Sequence, residues 1–353
     1  MRPTVHILLR EGSIVRSLLV ALFAFASGSA EAQEAREPII DMHLHVRSAV
    51  YAGQDPPPMC TPFEVMPRSD NRDGVYEGMD FNHQPCDKPI PAASSDEQVM
   101  RDTLAAMEKF NIYGVVSGEP GSLARWLAAA PRRIIPAVDY RLSGTRGSKH
   151  VQARTTEQLR GLHADGKLRV IGEIMAQYEG ISVDDPRMEP LWALAEELDI
   201  PVAIHMGPGE PGQPYSGGGY RVSLGDPLLL EPVLVRHPKL RVSIMHAGYP
   251  MADRMRALMF SYPQVYADIG GIVYTEPRTT FYRFLRELVD AGYGDRIMFG
   301  SDQMIWPGVI EPAIRTIEDA PFLTSAQKRD IFYNNAARFL RLSETERAAH
   351  GGR

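Results

Sequence analysis

Four histidines and an aspartate stand at the ends of apolar runs, and their side chains suit metal chemistry. His43 and His45 close Ile39-Ile40-Asp41-Met42-His43-Leu44-His45, His205 closes Val202-Ala203-Ile204-His205, and His246 closes Ser243-Ile244-Met245-His246. Asp302 follows Met298-Phe299-Gly300-Ser301. In an extended strand, residues two apart point to the same side, so His43 and His45 face one way. A lone His-x-His is weak, but repetition at matching ends of several runs is what a shared site requires. Imidazole nitrogen and carboxylate oxygen suit Zn²⁺, and ligand type alone does not separate it from Mn²⁺ or Fe²⁺. Such a metal lowers the pKa of water toward neutrality and polarises the bond under attack, while a nearby carboxylate moves the proton.

The elements that must position these residues are legible as short strands rich in Ile and Val. The runs Pro38–His45, Ile112–Ser117, Arg133–Val138, Arg169–Ile174, Ile200–His205, Leu240–His246, Gln264–Ile269 and Arg296–Ser301 read as strands buried on both faces. Between them, Asp96–Phe110, Arg187–Leu198, Thr279–Val289 and Ser325–Leu342 carry apolar residues at helical spacing, with Ser95 or Asp96 capping the first and Ser325 the last. Eight strands alternating with helices predict a parallel sheet and suit an α/β fold of the (β/α)₈ barrel kind; an open doubly wound sheet satisfies the same alternation. Two connections are too long to be simple links: Val46–Ser94 after the first strand and Met206–Gly225 after the fifth. Both follow strands, at the end where barrel active sites form.

Glu173 ends the fourth strand in Val170-Ile171-Gly172-Glu173-Ile174. A carboxylate buried at a barrel mouth needs a partner, and either metal ligation or a bond to a ligating histidine supplies one. Arg47, two residues beyond His45, is a candidate to grip a substrate carboxylate, with a solvated loop arginine as the alternative reading. Tyr178, Arg221, Tyr249 and Trp306 follow the strand ends and are candidates to line the pocket. His83, His150, His163, His237 and His350 lie in loops or helices and read as surface residues.

The bulk numbers exclude some classes. Lys+Arg number 38 against 44 Asp+Glu, and the formal net charge is −6. With no basic run carrying interleaved aromatics, a nucleic-acid partner is not expected. Arg2, Arg10 and Arg16 precede an apolar stretch, Leu18–Ala26, and then Ala30-Glu31-Ala32. That order predicts a secretory signal cut after Ala32, leaving residues 33–353 as one exported domain, secreted or periplasmic. The apolar stretch is short for a bilayer span, so no stable membrane insertion is expected after cleavage. In an oxidising compartment Cys60 and Cys86, the only cysteines, are expected to pair.

With these pieces assembled, the chain resembles the amidohydrolase superfamily, within the amidohydrolase-related group that also holds decarboxylases of aromatic and unsaturated acids. The matching motifs are Ile39–His45, Gly172-Glu173-Ile174, Ile204-His205, His237-Pro238-Lys239-Leu240 leading to His246-Ala247-Gly248, Phe299–Asp302, and Asn335-Ala336-Ala337-Arg338-Phe339-Leu340. They extend over nearly all of the expected mature chain. The long first loop with its two cysteines departs from the general pattern. The resemblance implies a metal-dependent hydrolase in which His43, His45, His205 and Asp302 hold the principal ion and Asp302 moves the proton. His246 then binds a second metal or hydrogen-bonds the substrate carbonyl. It implies one Zn²⁺, or two with Glu173 between them, a small-molecule substrate and a homodimer. Hydrolysis of an amide, ester or lactone is the first reading, supported by Glu173 and the export signal. Non-oxidative decarboxylation with the same residues is the second, and a non-catalytic periplasmic binding protein the third.

Overall fold

Each of the eight apolar runs forms a strand: β1 (Ile39–His45), β2 (Ile112–Ser117), β3 (Ile134–Val138), β4 (Val170–Ile174), β5 (Val202–His205), β6 (Val242–Met245), β7 (Val265–Asp268) and β8 (Ile297–Met298). The computed structural model describes residues 36–49, 58–64, 86–142, 145–146, 149–150, 153–209, 212–215 and 217–351. The expected leader with its cleavage point, and His83, lie outside them, and of His150 only the backbone is described. Neighbouring strands run parallel in chain order from β1 to β8. The first and last strands then meet. Met42 N donates to Phe299 O at 2.9 Å, Asp302 N to His43 O at 2.7 Å, and Ser301 N to Asp41 Oδ1 at 3.0 Å. The result is a (β/α)₈ barrel whose seam closes between β1 and β8.

Side chains alternate across the barrel wall, as the two-residue period of a strand demands. Ile40, Met42, Tyr113, Val115, Ile135, Ala137, Val170, Ala203, Met245 and Met298 fill the interior. Ile39, Ile112, Val116, Ile134, Val138, Ile171, Val202, Ile204, Val242, Ile244, Val265 and Ile297 face the surrounding helices. Those helices include α1 (Asp96–Lys109), α2 (Pro120–Ala129), α3 (Thr156–Ala164), α4 (Glu189–Glu197), α5 (Glu231–Arg236) and α6 (Ala252–Ser261). After a short turn of helix, α7 (Ile272–Thr275), come α8 (Arg278–Leu288) and α9 (Ile310–Glu318). Ser95 caps α1 by accepting from Gln98 N. Among the described residues no helix is long and apolar enough to cross a membrane.

Several details differ from the expectation. The helix expected over Ser325–Leu342 is capped by Thr324, through a capping box with Gln327, and not by Ser325. It runs as α10 (Ser325–Arg329), a π turn over Asp330–Asn334 and α11 (Asn335–Phe339). The last strand is two residues long because Phe299 N leaves the ladder to donate to Ile331 O at 2.8 Å. His237 is buried and not on the surface: one ring nitrogen lies 2.9 Å from Glu189 Oε1, the other 3.1 Å from Glu196 Oε2. His350, also expected at the surface, is buried on the last helix, α12 (Glu344–Gly351). Its ring stacks on Tyr113 at 3.6 Å between centroids, and Tyr333 Oη lies 3.1 Å from its Nδ1, so α12 plugs the barrel floor.

The described part of the first long connection is pinned at its ends. Cys60 and Cys86 form a disulfide with a Cα–Cα separation of 5.7 Å, Met59 pairs with Ile90, and Phe63 N donates to Thr275 O at 2.9 Å. The hydroxyl of Thr61 donates to the carbonyl of Tyr274. The loop therefore reaches across to α7, beside the glycines that follow β7.

Candidate metal centre

Every metal-competent residue predicted from strand ends arrives at the same mouth of the barrel. A register shift between Asp41 and Leu44 bends the end of β1, re-aiming both of its imidazoles. His43 is turned by Asp268, whose Oδ1 lies 3.0 Å from Nδ1. His45 is turned by Ser117, whose hydroxyl lies 2.8 Å from Nδ1. In both rings Nε2 is therefore the atom presented inward. His45 Nε2 stands 3.1 Å from Asp302 Oδ1 and 3.5 Å from Glu173 Oε2. His43 Nε2 stands 3.6 Å and 4.0 Å from the same two oxygens.

The other oxygen of Glu173 serves a second pair. Oε1 lies 2.8 Å from His205 Nδ1 and 3.6 Å from His246 Nε2, and those two nitrogens are 3.0 Å apart. His246 Nδ1 lies 2.8 Å from the carbonyl oxygen of Gly270, a partner that can only accept, so its Nε2 is left for the site. The principal ligand set expected from the resemblance put His205 with His43, His45 and Asp302. The distances form three overlapping groups, His43 with His45 and Glu173, His43 with His246 and Asp302, and Glu173 with His205 and His246, so His43, Glu173 and His246 are each shared.

This donor set fits divalent cations. Ligand atoms about 2.1 Å from a tetrahedral ion stand roughly 3.4 Å apart, and the four separations around His43 and His45, 3.1, 3.5, 3.6 and 4.0 Å, bracket that spacing. Nε2 of His43, His45 and His205 are buried with no hydrogen bond of proper geometry within the protein. A buried polar atom left so costs about 1–3 kcal/mol, and the two on His43 and His45, both within 4.0 Å of Glu173 Oε2 and Asp302 Oδ1, point to a shared ligand.

Electrostatics in the metal-free protein follow the crowding. Burial pushes Glu173 and Asp302 upward, yet both carboxyls end well below their ordinary range. Hydrogen bonds from His205 and His246 do this for Glu173, and the His43 charge with the His45 bond does it for Asp302. Burial pulls His43 down, but Asp302 and Asp268 outweigh it and raise it to about 10. Burial, reinforced by the His246 charge, lowers His205, and burial also lowers His45. Asp41, fully buried beneath the site, is lifted by burial to about 7 while its Oδ1 accepts from His43 N and Ser301 N. His246 and Asp302 adopt left-handed backbone angles, φ +55° and +53°, uncommon for residues with a β-carbon and concentrated at functional sites.

The predicted pocket residues fall into two groups. Tyr178 presents an edge-on contact to His205 at 5.2 Å, and Arg47 lies close enough to His45 for its charge to act on that ring. Tyr249 is half-buried and donates from its hydroxyl to Glu276 Oε2 at 2.7 Å. Trp306 is packed into the core, and exposed Arg221 turns its guanidinium back onto the carbonyls of Gly219 and Tyr220. The sequence reading missed Asp268, Ser117 and Gln303. Asp268 had the same apolar-run signal, Val265-Tyr266-Ala267-Asp268, at the C-terminal end of β7.

A family model described as Amidohydrolase matches residues 40–342. The chain belongs to the amidohydrolase family. Within the family's reach, a 160-residue stretch covering 43% of the chain is 26% identical to Protein fluG of Emericella nidulans, and it spans only 18% of that protein's length. Among solved structures, an uncharacterized TIM-barrel protein from Bordetella bronchiseptica is 19% identical, with a TM-score of 0.57 over 90% of this chain and 100% of that one. The 5-carboxyvanillate decarboxylase of Novosphingobium aromaticivorans, complexed with manganese and a nitrobenzoic acid, is 13% identical, with a TM-score of 0.54 over 87% and 96%. A probable 2-pyrone-4,6-dicarboxylic acid hydrolase from Acinetobacter baumannii is 14% identical, with a TM-score of 0.51 over 86% and 99%. At these identities the structural likeness is one of fold.

Proposed function

We propose that this chain is a metal-dependent hydrolase that cleaves an amide, ester or lactone bond in a small molecule, with two divalent cations, Zn²⁺ first among them, held on either side of Glu173. The observation that carries the reading is the two-faced placement of that carboxylate, Oε2 toward His43 and His45 and Oε1 toward His205 and His246. Bound there, divalent cations would lower the pKa of water toward neutrality and polarise the scissile bond. The His43 charge and the His45 bond, working against burial, hold the Asp302 carboxyl well below its ordinary range, and 16% of its side chain stays accessible where His43 and His45 are nearly sealed. It is the group placed to take the proton of an attacking water and pass it to the leaving atom. With one cation instead of two, His246, 14% accessible at the same mouth, is free to hydrogen-bond the substrate carbonyl.

Decarboxylation of an aromatic or unsaturated acid is the second reading. Arg47 beside His45 and the Tyr178 ring against His205 favour it, since a guanidinium suits a carboxylate and an aromatic face suits a ring. The manganese-bound decarboxylase that shares the fold supports it as well. Export is part of the proposal, supported by the signal-like leader and the disulfide. The deciding experiment is elemental analysis of the purified protein and of His43→Ala, followed by turnover assays on a panel. Two atoms per chain, with proton, amine or alcohol release, upholds the first reading. One atom with CO₂ release replaces it by the second. No metal after supplemented preparation overturns both.

A further inference from the structure

Gln303 follows Asp302 directly and is fully buried. Its side-chain amide grips the main chain of His45 from both ends: Oε1 accepts from His45 N at 3.0 Å, and Nε2 donates to His45 O at 2.6 Å. An amide side chain here does what a peptide unit does in a strand ladder, offering one donor and one acceptor side by side. The need for it comes from the topology. On its other side β1 pairs with β2, where His45 stands opposite Ser117 and Val46 N donates to Ser117 O at 2.8 Å. On the β8 side the strand stops at Met298, four residues before Asp302, so no strand rung remains for His45. The left-handed turn at Asp302 lets its N–H face His43 O at 2.7 Å while the next side chain doubles back onto His45.

We propose that Gln303 is a positioning residue for the metal centre, fixing the main chain of His45 so that Nε2 keeps its 3.1 Å separation from Asp302 Oδ1. The inference rests on the metal reading above. With the ring held by Ser117 and the backbone held by Gln303, His45 has no freedom to leave the ligand set, and cation affinity follows from that restraint.

The test is a Zn²⁺ titration of the metal-free full chain against a competing chelator, on wild type, Gln303→Met and Gln303→Asn. Met keeps the length and approximate volume without the hydrogen bonds, and Asn keeps the amide but stops a methylene short. Both are expected to bind Zn²⁺ about 10–100-fold more weakly than wild type. Thermal unfolding of the metal-free forms separates positioning from scaffolding, since a purely structural glutamine lowers that stability and leaves Zn²⁺ affinity of the folded protein at the wild-type value. Wild-type affinity in either folded variant overturns the positioning role and leaves the metal reading standing. Absence of Zn²⁺ binding by wild type overturns both.

Discussion

Mild acid should loosen α12 from the barrel floor, because the plug is built around a histidine that must stay neutral. Burial pushes the His350 ring down to about 4; Arg169 and Arg133 push the same way, and Glu346 opposes them. The ring is enclosed by Tyr113 and Tyr333, with Arg133 over the Tyr113 face and Arg329 over the Tyr333 face, and Arg347 lies on α12 itself. A histidine released to solvent titrates near 6.5. Between those two values the undocked helix binds more protons than the docked one, so docking weakens as pH falls from about 6.5 and the loss is complete below about 4. A shift from 6.5 to about 4 corresponds to about 3.4 kcal/mol at full strength. Water at the rim of the plug screens part of this, leaving about 2 kcal/mol, or roughly 30-fold in the docking equilibrium. Glu346 is held at about 2, against burial, by bonds from the Ser343 backbone and hydroxyl and from Arg169, so its contribution is lost below its ordinary range, in a separate window. The assay is amide hydrogen exchange of residues 344–351 between about pH 7.5 and about pH 5, corrected for intrinsic rates, in wild type and His350→Phe. Wild type should gain roughly 15-fold in opening by about pH 5, part of the roughly 30-fold reached only below about 4, and the phenylalanine variant, which stacks without titrating, should stay nearly level. Parallel curves for the two proteins would refute the reasoning.

Three further outcomes follow from the geometry. Asp302→Asn keeps the shape and removes the carboxylate beside His43 and His45, so turnover should fall by at least about 10²-fold on any substrate found; an unchanged kcat removes Asp302 from proton transfer. Gly270→Ala would set a β-carbon 2.5 Å from His43 Nδ1 and 3.0 Å from Asp268 Oδ1, breaking the bond that orients the ring. Metal content measured after dialysis should drop, with about 1–3 kcal/mol of stability lost to overpacking; retention of the full complement would show that His43 tolerates displacement. Cys60→Ser/Cys86→Ser should destabilise the fold by about 3 kcal/mol and abolish any effect of reductant on the melting curve; a melting curve of the wild type that ignores reductant contradicts this.

The strands and the ligand types were legible because each barrel strand is an apolar run and several carry a metal-competent side chain at or just past the end, and a parallel barrel leaves such ends nowhere else to go. The grouping of the ligands was less so. Whether His205 sides with His43 or with His246 depends on ring rotation and on Glu173, neither of which leaves a mark on the spacing. Asp268 was hidden by a one-residue overrun: a strand drawn to Ile269 puts the carboxylate inside the run instead of at its end. Gln303 has no motif, since its role arises from a ladder that fails to continue past Met298. The two misplaced histidines share a cause. His237 and His350 carry helix-surface neighbours in sequence, and their burial comes from partners on other elements, among them Glu196, 41 residues from the one, and Tyr113, 237 residues from the other.

The seam between β1 and β8 fixes an order of events during biogenesis. His43 and His45 leave the ribosome early, but Asp302 and Gln303, which complete and brace their half of the cradle, are made some 260 residues later. A nascent or truncated chain can present the imidazoles without being able to retain an ion between them. A cation held as proposed would therefore be retained only once the eighth strand is in place and the ring has shut, so its retention would mark a completed barrel.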